Sequence, residues 1–220
     1  MTCLIIGLAT TDLMRHDLPL DDRGQPWLVD IAAELMAADG RAVDIIKRTV
    51  RLPRDTTVKN GAQDIHKIST RSARRSGATQ RWACFTLIEM LNEARFAISY
   101  SGMTREVISS VITRIAGNDA GQWLSAWQRA GVEWIDLRTP ATQICKLPYD
   151  PPNALGGYRW PSRAEAAEKV LGAAYGDIAS DEMAQNSAAW HNMKTDRWLY
   201  IAMCGRGLIE AGEPNREVAA

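Results

Sequence analysis

The sequence lacks the cysteine patterns of zinc sites and of domains stapled by disulfides. Its four cysteines are widely spaced, lie among apolar residues and include no C-x-x-C pair. They are Cys3, Cys84, Cys145 and Cys204. Neither a disulfide framework nor a zinc knuckle is indicated, and we expect buried thiols in a reducing compartment.

Long uncharged apolar segments are also missing. The first apolar run, residues 3–9, has no basic segment before it and is too short for a signal peptide or a membrane span. No later stretch approaches the roughly 18 apolar residues that crossing a bilayer requires. The sequence therefore predicts a cytoplasmic protein with no membrane contact.

There is no excess of charge of either sign. The 26 basic and 26 acidic side chains cancel, so binding to nucleic acid would depend on a local patch. A glycine-rich nucleotide loop, a serine or cysteine triad and internal repeats are absent as well. With 46% hydrophobic and 24% charged residues, the chain has the composition of an ordinary globular protein.

Strand-like and helix-like patterns alternate along the chain. Strands are predicted at residues 4–8, 27–36, 41–52, 95–100 and 132–137. Helices are predicted at residues 82–91 and 107–115, around Trp123 and Trp127, from the capping box Ser162-x-x-Glu165 to Gly172, and from about His191 to Leu208. Asp39-Gly40 indicates a hairpin, and residues 54–81 form a polar, basic surface segment. We expect one α/β domain over residues 1–220, with a mixed sheet, the first three strands partly antiparallel, and a flexible tail at 210–220.

Several short motifs carry most of the functional information. The first strand runs into Gly7-Leu-Ala9-Thr10-Thr11, and the fourth is followed by Ser101-Gly-Met-Thr-Arg105. Near the other end, His191 and Asp196 have the spacing H-x-x-x-x-D. Three further motifs lie between them, at residues 61–68 (GAQDIHKI), 134–137 (WIDL) and 156–165 (GGYRWPSRAE).

In this order the motifs resemble those of the DEDDh exonucleases, the DnaQ-type group that contains polymerase proofreading subunits and RNase T. The resemblance implies an RNase H-like fold with helices flanking the mixed sheet. Family members hydrolyse phosphodiesters from the 3′ end, with two divalent ions held by four carboxylates. Lys67 stands where the family's A-x-x-I-H-G-I loop has glycine.

By this resemblance most of the metal ligands are missing. Gly7 and Ala9 fall at the two carboxylates of the first motif, and Arg105 falls at that of the second. Only His191, the general base, and Asp196, a weak remaining metal ligand, are kept. The side chains of glycine, alanine and arginine offer no oxygen to a hard cation, and a guanidinium at Arg105 would repel metal and could fill the vacated site itself. We expect a degenerate site without a cofactor.

Other residues are candidates for nucleic-acid contact. Thr10, Thr11 and His66 match family positions, and basic side chains cluster at Arg71, Arg74, Arg75 and Arg81. Each has an ordinary alternative: turn chemistry for the threonines, a capped helix start for His191 and Asp196, and a solvated face for the arginines. Four tryptophans would stack on bases, bind a protein or lie in the core, and we assign most of them to the core: Trp82, Trp123, Trp127 and Trp134.

The sequence leaves three functions open. The favoured one is a non-catalytic exonuclease-fold protein whose former active-site cleft binds ends of single-stranded DNA or RNA, or a protein partner. The second is an active exonuclease dependent on Mg or Mn, its metal site rebuilt by loop carboxylates and Glu106; these carboxylates are Asp12, Asp17, Asp21 and Asp22. The third is a scaffold or regulatory protein. A homodimer, as in several relatives, is possible for each.

Overall fold

A computed structural model describes residues 2–75, 77–128, 131–149, 157–180 and 187–209. The tail expected at 210–220 and Gly156 of the tryptophan-proline motif lie outside these residues. Among the described helices, none combines the length and apolar character needed to cross a bilayer.

Five strands form one mixed sheet. They are β1 (Thr2–Thr10), β2 (Leu28–Ala37), β3 (Ala42–Thr49), β4 (Phe96–Ser99) and β5 (Glu133–Asp136). Their order is β3-β2-β1-β4-β5. The β1–β2 and β2–β3 pairs are antiparallel, whereas β4 lies parallel to both β1 and β5. The predicted mixed sheet and its antiparallel opening are confirmed, and the hairpin turns at Gly40, whose φ is 82°.

Helices surround the sheet. The described ones are α1 (Asn60–His66), α2 (Thr70–Arg75), α3 (Gln80–Asn92), α4 (Met103–Ile115), α5 (Ala120–Trp127), α6 (Arg138–Cys145), α7 (Arg163–Leu171), α8 (Ala174–Ser180) and α9 (Ala188–Gly205). The helices predicted from apolar periodicity correspond to α3, α4, α5, α7 and α9. The other four have only six to eight residues each, too few to show a clear apolar stripe in the sequence. The predicted capping box of α7 is present, because the Ser162 and Glu165 side chains each bind the other's backbone amide.

The two faces of the sheet have separate cores. Leu4 and Ile6 of β1 pack with α3, α4 and α5, while Cys3 and Ile5 face α7 and α9. Trp127 is fully buried in the first core, as expected. On α9 the buried stripe is Ala189, Trp190, Met193, Asp196, Leu199, Tyr200 and Met203. Trp198 lies off this stripe and is 43% exposed.

Candidate nucleic-acid cleft

Asp196 of α9 is fully buried and bound to an arginine. Its Oδ1 accepts a hydrogen bond from Arg163 Nε at 2.7 Å, and its Oδ2 accepts from Arg163 Nη2 at 3.3 Å and from the amide of Tyr100 at 3.1 Å. Burial raises the pKa of Asp196, while the Arg163 cation and the Tyr100 amide act in the opposite direction. Both oxygens of this carboxylate are therefore already engaged by donors of the chain itself.

Gly7 of β1 lies directly against the backbone of α9. A Cβ at this residue would lie 2.1 Å from the carbonyl oxygen of Ala189 and 2.6 Å from the amide nitrogen of Met193. Helix backbone thus fills the space that a side chain at position 7 would need. Ala9, two residues further along the same face of β1, is itself buried. No carboxylate can be accommodated at position 7 unless α9 moves.

A buried carboxylate on β2 holds the start of α9. Asp30 pairs with Ala9 across the sheet, and its Oδ2 accepts a hydrogen bond from the hydroxyl of Ser187. Ser187 is the N-cap of α9 and also accepts a hydrogen bond from the amide of Trp190 at 3.0 Å. Burial raises the pKa of Asp30 to about 6. Sequence reasoning missed this residue, although an aspartate within an apolar strand was a signal for it.

A second carboxylate of β2 binds the middle of α9. Glu34 is buried and lies 2.7 Å from Arg197 Nε and 3.6 Å from Lys194 Nζ. Arg197 also donates to the carbonyl of Gly40 at 2.7 Å, which links α9 to the hairpin. Asp30 and Glu34, the acidic residues of β2, therefore have a structural role, because both hold α9 against the sheet.

His191 lies one turn before Asp196 on α9. Its ring is half-buried, and its centroid lies 6.1 Å from that of Tyr175. Burial and the nearby Arg163 cation lower the pKa of His191. The imidazole is therefore neutral at neutral pH, which suits either a general base or an aromatic surface.

The cation at Asp196 is Arg163 and not Arg105. Arg105, on α4, has its guanidinium carbon 5.6 Å from the Trp134 ring centroid. It lines an open cavity of about 420 Å³, together with Glu106 and Asp136. Arg163 is therefore the arginine that pairs with Asp196. That Arg105 fills the vacated metal site stays a prediction, and its side chain contacts Trp134.

Three of the four loop carboxylates, Asp12, Asp17 and Asp22, are engaged within their own segment. Asp17 pairs with Arg15 at 2.7 Å, and Asp22 accepts from the amide of Gly24 at 2.7 Å. Glu106 lies 3.6 Å from His16. Within the described ranges, no three His, Cys, Asp or Glu side chains are grouped so that they could hold a metal ion. The donor set does not fit the two-metal arrangement, since Gly7, Ala9 and Arg105 supply no oxygen and Asp196 is occupied by Arg163.

The matched threonines and His66 hold a loop together. Thr10 Oγ1 donates to the carbonyl of Asp12 at 2.7 Å, and Thr11 Oγ1 accepts from the amide of Trp27 at 2.9 Å. His66 Nδ1 accepts from the amide of Ile68 at 3.1 Å, which leaves Nε2 to donate to the carbonyl of Thr10 at 3.2 Å. Burial lowers the pKa of His66. All three side chains thus have structural partners.

The basic segment divides into anchored and exposed residues. Arg74 donates to the carbonyls of Arg54 and Thr56, the latter at 2.8 Å, and so fixes the turn before α1. Arg71 and Arg75 are exposed on α2. Arg81 lies 3.7 Å from Asp119 and stacks on the Trp123 ring at 4.6 Å. All four candidate arginines lie on the surface, and Arg74 and Arg81 are in addition held by contacts with other residues.

An aromatic loop borders Asp196. Trp160 is 62% exposed, and the guanidinium carbon of Arg138 lies 3.7 Å from its ring centroid. The hydroxyl of Tyr100 donates to the carbonyl of Pro161 at 2.8 Å. Arg138, Arg163 and Tyr100 were not among the residues predicted for the site. The position of Arg163 directly after Trp160-Pro161-Ser162 was the available signal.

Comparison with known proteins identifies the fold through solved structures. No family model and no curated protein matches the sequence. The structure resembles that of E. coli exonuclease I in complex with a dA16 oligonucleotide, with a TM-score of 0.65 over 93% of this chain and 41% of that chain, at 15% identity. A product-bound exonuclease I gives 0.66 over 94% and 44%, at 14% identity. Exonuclease I from Methylocaldum szegediense gives 0.62 over 93% and 40%, at 12% identity.

The described chain therefore spans less than half the length of these exonuclease I proteins. The shared part contains the mixed five-stranded sheet and its flanking helices. At such low identity the likeness concerns the backbone and not the chemistry of the site. The chain has the RNase H-like fold of the DnaQ-type exonucleases.

Proposed function

We propose that this protein is a non-catalytic exonuclease-fold protein whose former active-site cleft binds ends of single-stranded DNA or RNA. The observation that carries the proposal is the ion pair between Arg163 and the fully buried Asp196. In the family pattern this aspartate is a metal ligand. Here a fixed side-chain cation occupies the carboxylate, so the chain neutralises it without a divalent ion.

The side chains that remain at the site are poor ligands for the metal ions that hydrolysis requires. A magnesium ion needs several oxygen ligands in near-octahedral geometry, and it would have to displace a bidentate guanidinium from Asp196. Position 7 cannot supply a ligand, because helix backbone lies against it. Without a metal-bound water, His191 has no acidic water proton to remove.

The same changes favour binding without metal. A cleft with four unpaired carboxylates repels a phosphodiester until divalent ions neutralise it. In this chain two of those positions are uncharged and Asp196 is paired with Arg163. Two half-buried arginines at the cleft, Arg138 and Arg163, neutralise Asp136 and Asp196. The exonuclease I structures bound to dA16 and 5cy-dT13 oligonucleotides support nucleic acid as the ligand class.

A degradation assay tests the absence of catalysis. Labelled single-stranded DNA and RNA are incubated with the protein in magnesium or manganese, beside an Asp196→Asn and a His191→Ala variant. We expect no release of mononucleotides from any sample. Metal-dependent release that both variants abolish would overturn the proposal in favour of an active enzyme with a remodelled metal site.

A binding assay tests the ligand class. Fluorescence polarisation of the same oligonucleotides is measured in EDTA and in magnesium. We expect binding in both, with similar Kd values, because no metal bridges the phosphate to the protein. Absence of binding to both DNA and RNA would overturn the proposed function and direct the search to a protein partner. Binding that requires magnesium would contradict neutralisation by Arg163.

A further inference from the structure

We infer that Trp160 is a platform on which a base of single-stranded nucleic acid stacks. The inference rests on the proposed function and extends it by naming the surface that the ligand contacts. It is carried by the exposure of the ring, the way one of its faces is supported, and the anchoring of its loop. Base stacking on aromatic side chains is tolerant of sequence, since every base offers a π-face.

The indole of Trp160 is exposed although it costs free energy to leave it so. Its exposed fraction of 62% exceeds that of Trp198, at 43%, and of Trp82, at 39%. One face of the ring is covered by Arg138, whose guanidinium carbon lies 3.7 Å from the centroid. Arg138 is itself fixed by Asp136 at 3.3 Å. The ring is thus supported on one side, and the rest of it is open to solvent.

The three residues that follow Trp160 are all held in place by contacts with the rest of the protein. Tyr100 donates to the carbonyl of Pro161 at 2.8 Å, and Ser162 caps α7. Arg163, three residues after the tryptophan, is bound to Asp196 at 2.7 Å. The carboxylate that would hold metal in the family instead anchors the segment that presents the aromatic ring. A platform fixed in this way loses little conformational entropy when it binds.

The charges around the platform do not exclude a polyanion. Three carboxylates near the loop have arginine partners: Asp136 with Arg138, Glu165 with Arg159, and Asp196 with Arg163. These three pairs are neutral and do not repel a phosphate backbone. Attraction then depends mainly on stacking, which predicts a weaker salt dependence than a basic groove would give.

The test compares tryptophan variants in a polarisation assay with (dT)12 and its RNA counterpart in EDTA. Trp160→Ala is expected to weaken binding about 5-fold to 100-fold, the range typical of one stacked base. Trp160→Phe should recover part of the affinity. Trp198→Ala and Trp82→Ala serve as matched controls, since they remove exposed tryptophans elsewhere, and we expect their Kd values to stay within about twofold of that of the wild type. Circular dichroism verifies that all variants are folded.

A second readout separates stacking from general loss of contact. Oligonucleotide should quench the tryptophan fluorescence of the wild type and of the two control variants but not of Trp160→Ala. An abasic oligonucleotide should bind wild type and Trp160→Ala equally. If the wild type binds and Trp160→Ala binds as tightly, the stacking inference fails while the proposed function stands. If the wild type binds no oligonucleotide, the proposed function fails as well.

Discussion

Arg163 and Asp196 form a bidentate ion pair in which the aspartate is fully buried and the arginine side chain is 26% exposed. Removing one partner leaves the other charge without compensation, and for buried pairs this typically costs about 3–5 kcal/mol. We expect Arg163→Ala to lower the free energy of unfolding by about 2–4 kcal/mol, the lower range reflecting the partial exposure of the guanidinium. Urea unfolding followed by circular dichroism measures the change.

The matching control is the exposed pair of Arg159 and Glu165, for which Arg159→Ala should cause a much smaller loss. Asp196→Asn combined with Arg163→Met should recover most of the stability lost in Arg163→Ala, because no buried charge is then left unpaired. If Arg159→Ala and Arg163→Ala lowered the free energy of unfolding equally, the buried pair would contribute no more to stability than the exposed one.

Restoring a carboxylate at position 7 should unfold the site and not repair it. Since a Cβ there would meet the Ala189 carbonyl at 2.1 Å, even Gly7→Ala is expected to destabilise the protein by about 3 kcal/mol or more. Gly7→Asp adds a buried charge and should be worse. Gly121→Ala, with open space around its Cβ and a helical position, is the control and should be neutral or stabilising. The Tm values of the three variants and the wild type are compared by thermal unfolding. A Gly7→Asp protein as stable as the wild type would contradict the observed contact between position 7 and α9.

Asp30 predicts a specific dependence of stability on pH. Its pKa is raised from the ordinary value of 3.8 to about 6 in the folded protein, so between these pH values the folded state binds the proton more tightly. The contribution of Asp30 to stability therefore falls as pH rises from about 4 to 6 and stays low above that. Asp30→Asn should gain about 2–3 kcal/mol relative to wild type at pH 7.5, and little of this gain should remain at pH 4.

The comparison between the two proteins isolates Asp30 from other titrating groups. His66 and His191 have lowered pKa values, so they reduce stability as pH falls, but equally in both proteins. Urea unfolding at several pH values gives the difference in free energy of unfolding. A difference that does not vary between pH 4 and 7.5 would mean that Asp30 keeps its ordinary pKa in the folded state.

Two lysines close helices in the left-handed conformation. Lys67 after α1 has φ 60°, and Lys146 after α6 has φ 49°. Glycine adopts this conformation without steric cost, so Lys67→Gly and Lys146→Gly should each stabilise the protein by about 0.5–1 kcal/mol. Lys169→Gly, within α7, should have the opposite effect of about 1 kcal/mol. Differential scanning calorimetry measures all three, and a lower Tm for Lys67→Gly would refute the strain argument.

Much of the fold could be predicted because it is encoded locally. The apolar run of β1, the Asp39-Gly40 turn and the Ser162-Glu165 capping box each lie within a few residues of sequence. The order of the motifs then identified the fold that the exonuclease I structures show. Short helices such as α1 and α6 were not predicted, because their sequences resemble those of loops as closely as those of helices.

The arrangement of the site could not be predicted in the same way. The choice of Arg163, and not Arg105, as the partner of Asp196 is a contact across 33 positions of sequence. Likewise, Gly7 reads as a lost ligand in the sequence, whereas only the packing of α9 shows that its space is filled. Asp30 gives no sign of its partner, since Ser187 lies 157 positions away.

The close approach of α9 to Gly7 also bears on how reversible the change is in evolution. A substitution that returned an acidic residue to position 7 would be removed by its effect on folding before it could contribute to any reaction. Recovery would need a displaced helix, a freed Asp196 and new acidic residues together, and no single step on that path is advantageous by itself. Under the proposed function, the packing of α9 against Gly7 would make the loss of cutting activity hard to reverse.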